Sequence, residues 1–177
     1  MKVLQILNSF NQGGSERQAV QLVRLLREDA THEIFVACLN KSGVLRDEIT
    51  GFDAIPEFRL TSFYNAQFLI QARECAKFIA RNKIEIVQTH DFYTNVFGIL
   101  AAKIAGVKIK IAAKRETENM RSKAQKIIEK QAFRLSKAIV ANAEAVKSYL
   151  IKEGVKPNKN NVIYNGLDLE RLKPSTA

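Results

Sequence analysis

Only two of the 177 residues are cysteine, Cys38 and Cys75, and both lie in apolar stretches with no C-x-x-C spacing and no histidines clustered nearby. Neither a disulfide framework nor a zinc site is thereby indicated, and a reducing cytoplasm fits. No charged-then-apolar leader opens the chain, and no uninterrupted apolar run approaches the roughly 20 residues needed to cross a bilayer, so a soluble or peripheral protein is expected. The signatures G-x-G-x-x-G and G-x-x-x-x-G-K-[ST] are missing, which weakens the dinucleotide and P-loop readings. With no acidic cluster and no D-x-D spacing in a loop, nothing is expected to hold Mg²⁺ or Mn²⁺. There is no internal repeat and no low-complexity segment.

What is present suffices for one domain with a sizeable core: 46% of the residues are hydrophobic and 26% charged. The formal charge is +10, and most of the excess is local. Between Lys103 and Lys137 stand eleven basic and three acidic residues, a net of +8. Such a balance raises nucleic acid, an anionic membrane or an acidic substrate as partners.

The stretch that organises the chain is the first turn, Asn8 to Glu16, between the apolar run Val3–Leu7 and a segment with Ala19, Leu22, Val23 and Leu26 at helical spacing. Ser15 and Gln18 suggest a capping box. Gly13 and Gly14 thus fall where a strand ends and a helix begins, where unpaired N–H groups and the helix dipole favour a phosphate or carboxylate. The competing reading is a tight βα turn and nothing more.

Further on, strands are expected at 32–39, 55–60, 84–89, 108–113, 138–141 and 161–164, with Pro56 placing the 55–60 strand at an edge. Helices are expected at 45–52, 68–82, 92–105, 119–135 and 143–153, with Leu69, Ala72, Ala76 and Ile79 as the buried stripe of the second and Gly106 and Gly154 as stops. Asn40-Lys41 stands where a dinucleotide-binding fold usually has an acidic ribose ligand, which counts against a nicotinamide cofactor. Seven strands alternating with helices imply an α/β fold: a Rossmann-like, doubly wound parallel sheet with helices on both faces.

In such sheets ligands bind beyond the carboxyl ends of the strands, which singles out His90-Asp91 after 84–89 and Lys114-Arg115 after 108–113. Alternative readings stand beside each: His90 as the cap of the following helix, and 114–117 as a solvated charge cluster. In the 119–135 helix, Met120, Ala124, Ile127, Ile128 and Leu135 share one face, and Lys123, Lys126, Lys130 and Arg134 fall in an adjacent stripe. That stripe is either a membrane-facing surface or a solvated one.

Five segments together resemble the N-terminal domain of family-four glycosyltransferases, the retaining, nucleotide-sugar-dependent enzymes of GT-B fold. They are Gly13-Gly-Ser-Glu16, Val87-Gln-Thr-His-Asp91, Ala113-Lys-Arg115, Ile139-Val-Ala-Asn-Ala-Glu144 and Val162-Ile-Tyr-Asn-Gly-Leu-Asp168. One departure is Ala143, where a serine cap is expected; Asn142 is the candidate substitute. The resemblance implies a domain over 1–168, the start of an interdomain linker at 169–177, and a C-terminal donor-binding domain, with its paired-glutamate motif, that these residues do not include.

The resemblance implies an acceptor-binding half of an enzyme that moves a sugar, with retention, from a nucleotide diphosphate sugar to a glycan or lipid-linked acceptor. His90 would stand by the transferred sugar as the catalytic residue. Gly13, Gly14 and Arg115 would meet the donor diphosphate or the acceptor, with Glu16, Asp91, Lys114 and Asn165 supporting. Asp91 is the expected orienting partner of His90. The implied partners are the donor, the acceptor, the C-terminal domain and an anionic inner-membrane surface met by Lys123, Lys126, Lys130 and Arg134; nucleic acid, a cofactor and a metal are not expected. Two other functions fit less of the sequence. A basic binding module for nucleic acid or an anionic surface rests on charge alone, and a Rossmann oxidoreductase lacks its fingerprint.

Overall fold

The computed structural model describes residues 1–52, 54–117 and 121–166. Six parallel strands form one sheet in the order β2-β1-β3-β4-β5-β6. The strands are β1 (Lys2–Leu7), β2 (Glu33–Cys38), β3 (Ile86–Thr89), β4 (Ile109–Lys114), β5 (Ala138–Ala141) and β6 (Asn160–Val162). The helices between them are α1 (Gly14–Asp29), α2 (Ala66–Arg81), α3 (Phe92–Ile104), α4 (Lys123–Leu135) and α5 (Glu144–Lys152), and Val44–Glu48 is a 3₁₀ turn in place of the helix expected at 45–52.

The two faces of the sheet are covered unequally. The chain turns one way from β1 to β2 and the other way at every later crossover, and right-handed connections therefore put α1 on one face and α2 to α5 on the other. The core follows that division. Leu4, Ile6 and Val87 pack with Phe68, Ala72, Cys75, Ile79 and Phe97 of α2 and α3. Leu7, Val36 and Cys38 pack on the opposite face with Ala19, Val20 and Val23 of α1. Ala112, Ile139 and Ala141 pack with Ala132 and Phe133 of α4 and Val146 and Leu150 of α5.

Several expectations are corrected. The expected strand at 55–60 makes only an isolated bridge, Cys38 to Glu57, beside the outer edge of β2. Pro56 offers that edge a carbonyl, accepting from Cys38 N at 3.0 Å, but has no N–H to extend a ladder. Helix α1 begins at Gly14 with Gly13 as its N-cap and no side-chain cap, so the expected Ser15–Gln18 capping box does not form. The Gln18 amide instead donates to Gly166 O at 3.0 Å. Ala143 is the N-cap of α5 without a side-chain bond, and Asn142 does not replace it. Leu69 is exposed, and α2 buries Phe68 and Cys75 alongside Ala72, Ala76 and Ile79.

In α4 the buried residues are Glu129, Ala132 and Phe133. Ile127 is 62% exposed, and Ile128 and Leu135 are also exposed, so the expected apolar stripe faces outward. The buried face instead carries Ala132 and Phe133, which join the core, and beside them Glu129, which meets Lys114 from the end of β4 in an ion pair. Met120, Glu118 and Asn119, Leu167 and Asp168 of the final turn, and the expected linker at 169–177 lie outside the described residues.

Candidate functional site

The chain reverses its direction of winding between β1 and β3, so the carboxyl ends of these two strands open a crevice at the sheet's switch point. The loop from Asn8 to Gly13 leaves one end and His90-Asp91 leaves the other.

The β1–α1 loop is held by its one large apolar residue. Phe10 is fully buried among the residues beneath α1, and its backbone is clamped, with Phe10 N donating to Ser42 O at 2.9 Å and Leu45 N donating to Phe10 O at 3.0 Å. Gly43, at φ 123°, lies directly on that backbone, where any Cβ would collide with Phe10 and Asn11. Beyond this anchor the chain presents the N-terminus of α1 without a side-chain cap. Gly13 has an ordinary extended backbone, φ −76°, so its lack of a Cβ serves packing: the Glu16 carboxylate folds back over it. Above Gly14 the space is open. First-turn N–H groups and the helix dipole make this end attractive to an anion, and Glu16 is the carboxylate nearest it.

The β3 end is built by α3. Asp91 is the N-cap, accepting from Thr94 N at 2.8 Å, while Thr94 Oγ1 accepts from Asp91 N and from His90 N, each at 3.0 Å. Asn95, one residue on, clips the neighbouring strand ends together. Its amide donates to Ala113 O at 2.8 Å and its carbonyl accepts from the Thr89 hydroxyl at 2.6 Å. The helix cap is therefore Asp91, and the expected capping role of His90 does not arise from its ring.

His90 is 2% exposed. Its Nε2 lies 2.8 Å from Gln5 Oε1, and its Nδ1 is buried with no partner. The expected pairing of His90 with Asp91 is corrected accordingly, since Gln5 holds the ring. Burial, and then the charge of nearby Arg115, lower the imidazole pKa to about 3, so the ring is neutral at any physiological pH. Burial raises the Asp91 carboxyl to about 6 against the pull of its Thr94 bonds, and Glu16 adds to the rise.

Lys114 and Arg115 part company because successive residues of a strand point to opposite faces. Arg115 turns toward α1. Its Nη1 donates to Asn165 Oδ1 at 2.7 Å, its Nε is buried without a partner, and desolvation lowers its pKa against the favourable field of Asp91. Lys114 turns the other way, to Glu129 Oε2 at 3.0 Å, with Glu116 3.6 Å off. Arg121 completes this second cluster: it pairs with Glu116 and Glu129 and lies 4.1 Å over the Phe92 ring. His90, Asp91, Glu16, Arg115 and Asn165 are thus brought together, and Lys114 is taken up by the buried ion pair behind the sheet.

A groove of about 330 Å³ runs from Arg115 and Asn165 across the uncovered sheet face, past Gln88, Ile111 and Val140, to Leu22 and Leu26 of α1. Gln5, Thr94, Asn95 and Arg121 were not singled out by sequence. For Gln5 the signal was available: it is the one polar residue inside the apolar run of β1.

A family model described as Glycosyltransferase Family 4 matches residues 12–171. The chain belongs to glycosyltransferase family 4. Among curated proteins it is similar to the UDP-Gal:alpha-D-GlcNAc-diphosphoundecaprenol alpha-1,3-galactosyltransferase of Escherichia coli, 28% identical over 173 residues, covering 92% of this chain and 44% of that one. Among solved structures, Anabaena HepE in complex with UDP-glucose superposes with a TM-score of 0.79 at 18% identity, over 99% of this chain and 47% of that one. The UDP-GlcNAc 2-epimerase of Methanocaldococcus jannaschii does so at 0.72 and 18%, over 93% and 46%. These two likenesses show the fold, a GT-B-type Rossmann-like half. The chain spans less than half the length of each of these relatives.

Proposed function

We propose that this chain is the acceptor-side half of a glycosyltransferase that moves a hexosyl group, with retention, from a nucleoside diphosphate sugar to a lipid-linked or glycan acceptor. The observation that carries the proposal is the switch-point crevice, where the N-terminus of α1, a buried neutral histidine and the Arg115 guanidinium converge. Family membership and the named activity of the Escherichia coli relative support the reaction class. The UDP-glucose in the HepE complex supports the donor class.

The arrangement suits the chemistry. Breaking the sugar–diphosphate bond leaves negative charge on the departing phosphate while the sugar becomes oxocarbenium-like. Fixed N–H groups above Gly14 and a guanidinium stabilise that charge without reorganising. His90 is neutral, so it adds no repulsion to the cationic sugar and serves as a hydrogen-bond partner for a sugar hydroxyl. In this reading no divalent cation is required, and the second half of the enzyme closes over the donor.

The acceptor is proposed to come from an anionic membrane surface. No helix among the described residues is long and apolar enough to cross a bilayer. Helix α4 nevertheless exposes Ile127, Ile128 and Leu135 next to Lys123 and Arg134, which is the composition of an interfacial helix. A cavity of about 410 Å³ beside it is ringed by Lys130, Arg134, Lys156 and Lys159, a basic setting for a phosphate headgroup.

The test is a transfer assay on the full reading frame with UDP-hexoses and a polyprenyl diphosphate-linked sugar, with and without EDTA. Product formation that survives EDTA and falls roughly 10²-fold in His90→Ala is expected, the range for losing one transition-state hydrogen bond. Full activity in His90→Ala, or none from any hexose donor, overturns the reading.

A further inference from the structure

An aromatic cluster stands at the carboxyl edge of the sheet, on the side away from α1. Helix α2 runs into β3 and α3 runs out of it, so both helices have their N-termini at this edge. Aromatic rings tie the two together. The ring centroid of Phe63, in the turn before α2, lies 5.5 Å from that of Phe68 in α2 and 5.2 Å from that of Tyr93 in α3. Tyr93 in turn stands edge-on to Phe92 at 5.3 Å. Phe68 and Phe92 are buried, and core packing accounts for them. It does not account for the tyrosines. Tyr93 is 43% exposed and Tyr64 75%, the latter more than any other large apolar side chain among the described residues. The turn that carries Tyr64 is nevertheless held firmly. Thr61 N donates to Gln67 Oε1 at 3.2 Å, Asn65 Nδ2 to Thr61 Oγ1 at 3.1 Å and Tyr64 N to Ser62 Oγ at 3.1 Å, with Phe63 as the apolar anchor. Ordering a turn around an exposed ring costs conformational entropy with no burial of that ring in return, a cost that is recovered when the ring meets a ligand already in place to receive it.

We propose that Tyr93 and Tyr64 form a stacking platform for a pyranose ring of the acceptor. The proposal rests on the glycosyltransferase reading and adds the residues that select the acceptor. Position favours a sugar as the occupant. Tyr93 is in the first turn of α3, directly after the N-cap Asp91, so the platform is continuous with the crevice where Asp91, His90 and Arg115 meet. The chemistry favours it as well. A pyranose presents a face of C–H bonds, whose slight positive charge suits the negative face of an aromatic ring, and a rim of hydroxyls that stays free for polar partners. Tyrosine offers such a face at low entropic cost, since only two torsions have to be fixed. In its turn Tyr64 is accompanied by Thr61, Ser62 and Asn65, polar groups that suit the hydroxyls of a sugar and not a hydrocarbon tail. The crevice thus has two unlike walls: the N-terminus of α1 and Arg115 attract an anion, and the tyrosines receive a neutral ring.

Saturation-transfer NMR reads the contact without turnover. With aromatic protons irradiated, the 177-residue chain should pass saturation to the ring C–H protons of methyl glycosides from a panel of hexoses and N-acetylhexosamines. Tyr64→Ala and Tyr93→Ala should each remove most of that transfer, and Tyr93→Phe should keep it. In the full reading frame, Tyr93→Ala should raise KM for the sugar acceptor about tenfold, the effect of losing one aromatic contact, with KM for the donor nearly unchanged and Tyr93→Phe close to wild type. Tyr64 is 75% exposed, so Tyr64→Ala leaves the core intact and its effect on KM is free of any folding loss. Absence of saturation transfer to every pyranose, or tyrosine variants that raise KM for the donor in place of the acceptor, overturns the proposal. So does a Tyr64→Ala variant that loses vesicle binding while its sugar contact is unaltered, which would assign the ring to a lipid surface. Failure here is distinct from failure of the underlying reading. Sugar contact without transfer from any hexose donor keeps the platform and sinks the reaction, and transfer without sugar contact does the reverse.

Discussion

Lys114 Nζ lies 3.0 Å from Glu129 Oε2, and the two side chains are each only 6% exposed. This pair joins the end of β4 to the inner face of α4, with Arg121 as a further cation on the same carboxylate at 3.7 Å. Removing Lys114 leaves the buried Glu129 carboxylate with Arg121 alone at 3.7 Å, so Lys114→Met should cost up to about 3–5 kcal/mol, while Lys114→Met combined with Glu129→Leu should recover most of that loss. Urea unfolding of the two variants checks it. A single variant as stable as the double would mean that solvent reaches Glu129.

The Asp91 cap should be separable from the Asp91 charge. Asp91→Ala loses the capping box with Thr94 and should cost about 1 kcal/mol. Asp91→Asn keeps a capping oxygen. Because burial raises the native carboxyl to about 6, above its ordinary value, the folded state holds its proton more tightly than the unfolded state does. Its contribution is complete below the ordinary value and is lost as pH rises through 6. Relative to wild type, Asp91→Asn should therefore gain stability between pH 5 and pH 8, by denaturant melts at both.

His90 contributes with the opposite sign. Its native pKa, lowered by burial to about 3, lies below the ordinary histidine value, so the unfolded chain takes up a proton first on acidification. The associated stability is present above pH 6.5 and is lost as pH falls toward 3. His90→Gln should flatten the acid side of the stability profile, whatever it does at neutral pH. A parallel profile for the two proteins would show that the ring is not held neutral.

The outward face of α4 should bind anionic vesicles reversibly. Each basic residue near such a surface contributes about 1 kcal/mol, so Lys123→Gln with Arg134→Gln should reduce partition to phosphatidylglycerol vesicles on the order of 30-fold, and salt should do the same to wild type. Ile127→Ser should weaken what remains. Equal partition to neutral and anionic vesicles would count against a membrane role for this face.

The alternation of short apolar runs with amphipathic segments determined by itself that this is a parallel α/β sheet, because period two and period 3.6 are local properties of the chain. The same local rules placed Gly13-Gly14, His90 and Arg115 at strand ends. They did not separate Arg115 from Lys114. The two are adjacent in sequence, and only the pleat of β4 and the position of Glu129 on α4 send one to the crevice and the other into a buried pair. Likewise the 55–60 segment has strand composition, but whether it joins a sheet depends on the edge it meets and on Pro56. Periodicity alone points to Ile127 and Ile128 as the buried face of α4, but the helix packs by Ala132 and Phe133, with Glu129 beside them paired to Lys114, because the neighbours that receive the helix are set by the tertiary structure. The Gln5–His90 pair was beyond sequence altogether: Gln5 and His90 are 85 residues apart, and their 2.8 Å contact exists only because β1 and β3 are neighbours in register. Side-chain chemistry is written residue by residue, but hydrogen-bond partners are chosen by the packing of strands that the sequence does not order on its own.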